Sequence, residues 1–173
     1  AVAPSDPLRF RLAFNEAREA ISNGNYNSSV GARVYLLELG WQTFQSSPWI
    51  GVGAGKRLEI IKKAGTEGPK ELTDATAVVR DLGHAHNAFL HHAMDGGLLG
   101  LAGFLSTILG LILAGRILGK THPVAAWQMY GVAFMHATSN LSNVNLAHNY
   151  YALMLAISVA VVLVHARLTA QPR

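Results

Sequence analysis

From Gly96 to Gly115 the chain reads GGLLGLAGFLSTILGLILAG without a charge. That is roughly the 20 apolar residues that cross a bilayer core at about 1.5 Å per helical residue. A second apolar run, about 124–140, is shorter and interrupted by Gln128, so it needs tilt to cross. A third, about 146–164, is rich in Val, Leu, Ala and Ile and uncharged until His165 and Arg167. The pattern therefore predicts three spans, 96–116, 124–140 and 146–164. Before Gly96 the periodicity is amphipathic. Ser5-Asp6-Pro7 is a helix start, with Asp6 as N-cap and Pro7 as first helical residue. Phe10, Phe14, Ala17 and Ile21 then recur on one face until Asn23-Gly24-Asn25, which predicts a helix over 7–22. A second helix, 30–45, follows Ser28-Ser29, carries Val30, Val34, Leu37, Trp41 and Phe44 as its apolar stripe, and stops at Pro48. Ile50 to Lys56 reads as a glycine-rich turn, and 62–80 as a polar loop. A short helix, 87–95, leads into the first span. The expectation is an all-α chain with an amphipathic outer region, 1–95, and a membrane region, 96–173.

Composition strengthens the membrane assignment. Half of the 173 residues are apolar and only 14% are charged, and between Gly96 and Val164 the fixed charges are Arg116 and Lys120 alone. A net charge of +4 spread over many positions makes no case for nucleic acid. Without cysteine there is no disulfide framework and no thiolate chemistry. The chain opens at Ala1 with no signal-peptide pattern, so a longer upstream part with further spans is expected. Lys and Arg in short loops stay on the cytoplasmic side. Arg116, Lys120 and His122 after the first span, and Arg167 and Arg173 after the last, therefore put the C-terminus inside and residues 1–95 outside. Trp41, Trp49, Tyr150 and Tyr151 suit the interfacial aromatic belt.

Two features carry candidate chemistry. Arg33 sits at the edge of the second helix's stripe, and an arginine turned toward an apolar or lipid surface is costly unless an anion meets it. A phosphate would fit its planar fork; snorkelling to headgroups, or pairing with Glu38 or Glu16, is the alternative. His84-Ala85-His86-Asn87 with His91 and His92 packs half of the chain's 8 histidines just before a span. One imidazole there could take a proton from an acceptor hydroxyl. The same cluster could instead be exposed interfacial histidines, or a metal site built on His84, His86 and His91 with Asp95. Asn87 could simply cap the following helix. Gly51, Gly53 and Gly55 before Lys56 fail the phosphate-loop spacing, because Ile50 and Arg57 stand where glycine and Ser or Thr are required. The segment reads as a close-approach turn, with Lys56 and Arg57 as candidate substrate contacts beside His84 and Asn87. Asn140, Asn143, Asn145, His148 and Asn149 cluster between the last two spans as caps or sugar contacts.

Three segments in order, SSVGARVYLLELGWQTFQSSPWIGVGAG, HAHNAFLHHAMDGGLLGLAGF and the closing pair of apolar runs, resemble the C-terminal region of the O-antigen ligase and polymerase family. The resemblance implies a polytopic, GT-C-like membrane glycosyltransferase of the bacterial inner membrane, with its active site on the periplasmic side. It implies undecaprenyl-diphosphate-linked glycan as donor, lipid A-core as acceptor in the ligase branch, an inverting transfer, and no metal or other cofactor. By motif, Arg33 matches the arginine that holds the donor diphosphate, and His86 the base on the acceptor hydroxyl.

Close rivals share the donor and differ in acceptor: the repeat-unit polymerase and the protein O-oligosaccharyltransferase. A reading from another class is a non-catalytic transport or assembly subunit, which would place functional polar groups inside the spans.

Overall fold

The computed structural model describes residues 7–26, 28–64 and 85–169, and their regular structure is entirely helical. Six α-helices run in order: α1 Pro7–Asn23, α2 Ser29–Ser46, α3 Ala54–Ala64, α4 Ala88–Leu118, α5 Pro123–Ser139 and α6 Asn149–Thr169, with a 3-10 turn, Asn145–Ala147, before α6. Asp6, the expected cap of α1, lies outside the described residues.

The α1–α2 hairpin closes on small residues. The Ser28 side chain caps α2 by accepting from the Gly31 amide at 2.9 Å. A Cβ at Gly31 would stand 2.9 Å from the Tyr26 backbone, so the connection can double back tightly only there. The buried face of α2 is Ala32, Leu36, Gly40 and Thr43, not the expected stripe of Val30, Val34, Leu37, Trp41 and Phe44. That stripe lies more than a third of a turn away at 100° per residue, and Leu37 and Trp41 are exposed. The small residues of the packed face let a partner helix come closer. At Gly40 a Cβ would meet Leu90 Cδ2 at 2.5 Å.

The segment read as a turn and loop contains α3. Of its three glycines only Gly51 and Gly53 have positive φ, at 67° and 81°; Gly55 is already helical. Arg57 and Ile61, one turn apart, share the face that docks on the rest of the protein, and this packing overrides the local glycine signal. Ile61 is fully buried against Ala32 and Leu36, and burial of a side chain of this size contributes ~1.5–3 kcal/mol. Lys62 and Lys63, expected in the loop, form the last turn of α3, where the helix dipole favours them.

At Gly97 (φ 60°, ψ −147°) α4 breaks into two helical segments. The Pro48–Gly53 turn fills the break. Leu98 N donates to Pro48 O at 2.7 Å and Leu99 N to Trp49 O at 3.4 Å, while Val52 N and Gly53 N donate to Met94 O and Asp95 O at 2.8 and 3.1 Å. Backbone groups orphaned by the break are thus satisfied by a turn that presents the complementary groups. Gly51 and Gly97 face this contact together: a Cβ on Gly51 would stand 2.5 Å from the Asp95 carbonyl carbon, and one on Gly97 would overlap the Trp49 backbone.

Beyond the break, α4, α5 and α6 pack together. Ala125, Met129, Val162 and Ala166 form one core, and Ala88, Phe104 and Val144 another. Two helices, α4 and α6, are long and apolar enough to cross a membrane, and only 11% of each apolar window is buried. The core helix of a soluble protein would be mostly buried, so these faces suit lipid. The second expected span, 124–140, corresponds to α5, whose 17 residues reach about 25 Å. The third, expected at 146–164, begins later and runs past His165 and Arg167 to Thr169.

Candidate active site

The Ser28 cap and the small-residue face of α2 fix its rotation, and with it the direction of Arg33. Arg33 is exposed on the flank between the packed face and the open apolar stripe. Neither alternative partner engages it among the described residues: Glu38 accepts from the Tyr26 hydroxyl at 2.7 Å, and no ion pair joins Arg33 to Glu16.

His86 approaches from the other side. It is the non-glycine residue among those described with positive φ, at 49°, a conformation that costs ~1–2 kcal/mol for an L-residue. Its neighbours hold it there. Ala85 is 1% exposed. On the other side Asn87 caps α4 by accepting from Leu90 N at 2.9 Å and donates to Leu141 O at 3.0 Å, while Ala88 N donates to Asn140 O at 2.9 Å. Strain over-determined on both sides is characteristic of functional positions. Burial pushes the His86 imidazole below the usual histidine range, and the Arg33 guanidinium pushes it the same way. The two side chains, more than fifty residues apart in the chain, thus share one electrostatic neighbourhood, and both influences favour the neutral ring.

An apolar groove of about 340 Å³ adjoins this pair, lined by Leu37, Trp41 and Phe44 of α2 and by Asn87, Phe89, Leu90, Ala93 and Leu101. It begins one helical turn from Arg33 and one residue from His86. The groove's lining thus neighbours both residues along the chain, through Leu37 on α2 and Asn87 after His86.

The other candidates are placed differently. Arg57 turns inward, its Nε donating to Asp95 Oδ1 at 2.6 Å, and His91 Nε2 stands 3.4 Å from the other carboxylate oxygen. Arg57 and His91 are 8% and 7% exposed, so this knot fastens α3 to α4. Lys56 is exposed on α3. Both polar ends of Asn87 are used in the cap and the link to Leu141. His84 lies outside the described residues. Among the described residues no three His, Asp or Glu side chains converge as a metal-binding group. Asn140 is fully buried, its amide donating to the His136 carbonyl at 2.7 Å and its oxygen accepting from Asn145 N at 3.1 Å. His136 went unremarked in the sequence. It is buried, with Tyr151 Oη 3.1 Å from Nδ1 and Thr107 Oγ1 3.3 Å from Nε2. A histidine and an asparagine spaced i, i+4 in an apolar helix were the signal for it.

Fold and site together define a helical membrane protein in which Arg33 acts electrostatically on His86 and an apolar groove is lined from the following residue onward. The chain belongs to the O-antigen ligase family, whose model matches residues 8–105. The matched stretch holds α1 to α3, the break at Gly97, and both Arg33 and His86. No curated protein matches the chain. Membership gives it an O-antigen ligase or polymerase type of function in a family of glycosyltransferase-like membrane enzymes.

Proposed function

We propose that this chain forms part of a membrane glycosyltransferase that moves a glycan from undecaprenyl diphosphate onto lipid A-core at the periplasmic face of the inner membrane. The observation that carries the reading is that Arg33 acts electrostatically on a half-buried His86, with an apolar groove lined from the next residue onward. In the reaction His86 takes the proton of the acceptor hydroxyl, the hydroxyl oxygen attacks the anomeric carbon, and the bond from that carbon to the diphosphate oxygen breaks. Charge gathers on the leaving diphosphate as the bond lengthens. A guanidinium beside it stabilises that charge more in the transition state than in the ground state, and its two parallel N–H donors fix the phosphate oxygens. The neutral ring is the form that can accept a proton, and a neighbouring cation that keeps it neutral serves the same step. The polyprenyl chain occupies the groove between α2 and the first segment of α4.

The test is transfer by the full-length protein in proteoliposomes, supplied with lipid-linked glycan and, separately, lipid A-core, free glycan chain or acceptor peptide. Transfer to lipid A-core is the expected outcome; transfer only to glycan or peptide replaces the ligase reading with that of a polymerase or a protein glycosylation enzyme. Arg33→Lys is expected to lower the rate about 10- to 100-fold, the worth of a charge-assisted hydrogen bond at ~1.5–3 kcal/mol. A wild-type rate in that variant removes Arg33 from the site.

A further inference from the structure

The α1 helix presents a surface that neither the fold nor the proposed chemistry uses. Phe10, Phe14 and Ile21 are 81, 63 and 75% exposed. At 100° per residue they fall, with Ala17, within a stripe of roughly 60°. The face that packs on α2 lies to one side of this stripe, marked by Ala20 at 1% exposure. Along the other side stand the exposed Arg11 and Arg18. The acidic residues point elsewhere: Glu16 lies beyond the packed side, and Glu19, opposite the stripe, accepts from the Asn23 amide at 2.7 Å. Leu12 is the exposed apolar residue that lies off the stripe.

A narrow apolar stripe bordered by arginines, with polar residues opposite, is the pattern of a helix lying in a membrane interface. Its 17 residues, interrupted by charges, cannot cross a bilayer. We infer that α1 lies along the membrane surface, Phe10, Phe14 and Ile21 in the acyl region and Arg11 and Arg18 on the phosphates of anionic phospholipids. Arg11 and Arg18 stand at the side of the stripe, a position from which their stems can cover apolar surface while the charge stays at headgroups. Among the described residues no acid stands on that flank of α1 to neutralise these arginines. Because α1 packs on α2, a helix held against lipid also fixes the height of α2 and of Arg33 above the membrane.

This chain contains no cysteine, so once any cysteine elsewhere in the full-length protein is replaced by serine, single-cysteine labelling reads the surface directly. Phe14→Cys, Ile21→Cys and Ser22→Cys, each carrying a bimane label, are reconstituted into vesicles of phosphatidylcholine with or without phosphatidylglycerol. Quenching by nitroxide-bearing lipid is compared with quenching by iodide. Labels at positions 14 and 21 are expected to be quenched several-fold more by the lipid probe than the label at 22, with the reverse order for iodide. Phosphatidylglycerol should deepen the lipid quenching, and an added Arg11→Gln/Arg18→Gln pair should abolish that increment. Equal iodide quenching at all three positions overturns the inference. Shielding of positions 14 and 21 from both quenchers overturns it too, because protein then covers the stripe. Lipid quenching indifferent to phosphatidylglycerol overturns the anionic-lipid assignment.

Discussion

Two histidines five residues apart, His86 and His91, belong to the same short motif, yet the fold gives them opposite company. His86 sits half-buried in a strained backbone, within the electrostatic reach of a guanidinium. His91 lies on the regular helix, buried, against the carboxylate that also receives Arg57. A cation beside an imidazole favours the neutral ring that can act as a base, whereas an anion fixes the ring's place and draws it into packing. The contrast also separates two arginines. Arg33 is left exposed, whereas Arg57 has been given an anion by the protein.

The sharpest way to break this contrast is to remove each imidazole in turn. His86→Ala is expected to lower glycan transfer about 10²- to 10⁴-fold, the usual worth of a positioned acid–base group, with membrane insertion and melting temperature nearly unchanged. His91→Ala should do the reverse, lowering thermal stability while the protein that remains folded transfers at close to the normal rate. Rates and melting curves of the two variants, measured together, settle it; equal loss of rate in both would merge the two regions into one site.

Next in size is the carboxylate. Asp95→Ala leaves the guanidinium of Arg57 nearly buried without its 2.6 Å partner, and breaking such a pair costs ~3–5 kcal/mol. Thermal unfolding of the reconstituted protein should show a large drop, with release of α3 visible as faster amide exchange over 54–64. Unchanged stability would mean that the knot does not hold α3.

The smallest effect is also the most specific. Protonated His86 cannot serve as base, so transfer falls as pH drops through its pKa. Burial and Arg33 both lower that pKa below 6.5, so the acid limb of the wild-type pH–rate profile should lie below the ordinary imidazole value. Removing the guanidinium in Arg33→Gln lifts one of the two causes, and the acid limb should move to higher pH while burial keeps it from the full return. A limb that stays in place would show that the two groups do not interact.

Much of the chain was legible without coordinates. Polar-to-apolar periodicity located the helices at 7–23 and 29–46 to within a residue or so, and uncharged length located the two long membrane helices. Capping residues Ser28 and Asn87 act as their types suggest. Three features were not legible. Gly51, Gly53 and Gly55 look alike in sequence, but only a docking face formed by Arg57 and Ile61 tells which of them starts a helix. The apolar stripe of α2 is the more conspicuous face, yet the small-residue face is the one that packs, since the choice between protein and lipid cover depends on what lies alongside. His136 and Asn140 stand in an apolar run where their pairing with Tyr151 and Asn145 becomes visible only once α5 and α6 are side by side.

The sequence by itself determined that the chain is helical, where its apolar lengths lie, and that basic and imidazole groups gather before the first span, because these follow from local periodicity and composition. Tertiary structure decided what each arginine faces. Arg33 and Arg57 carry the same group, and only the long-range contacts of α2 and α3 with α4 set one facing outward beside His86 and the other inward on Asp95.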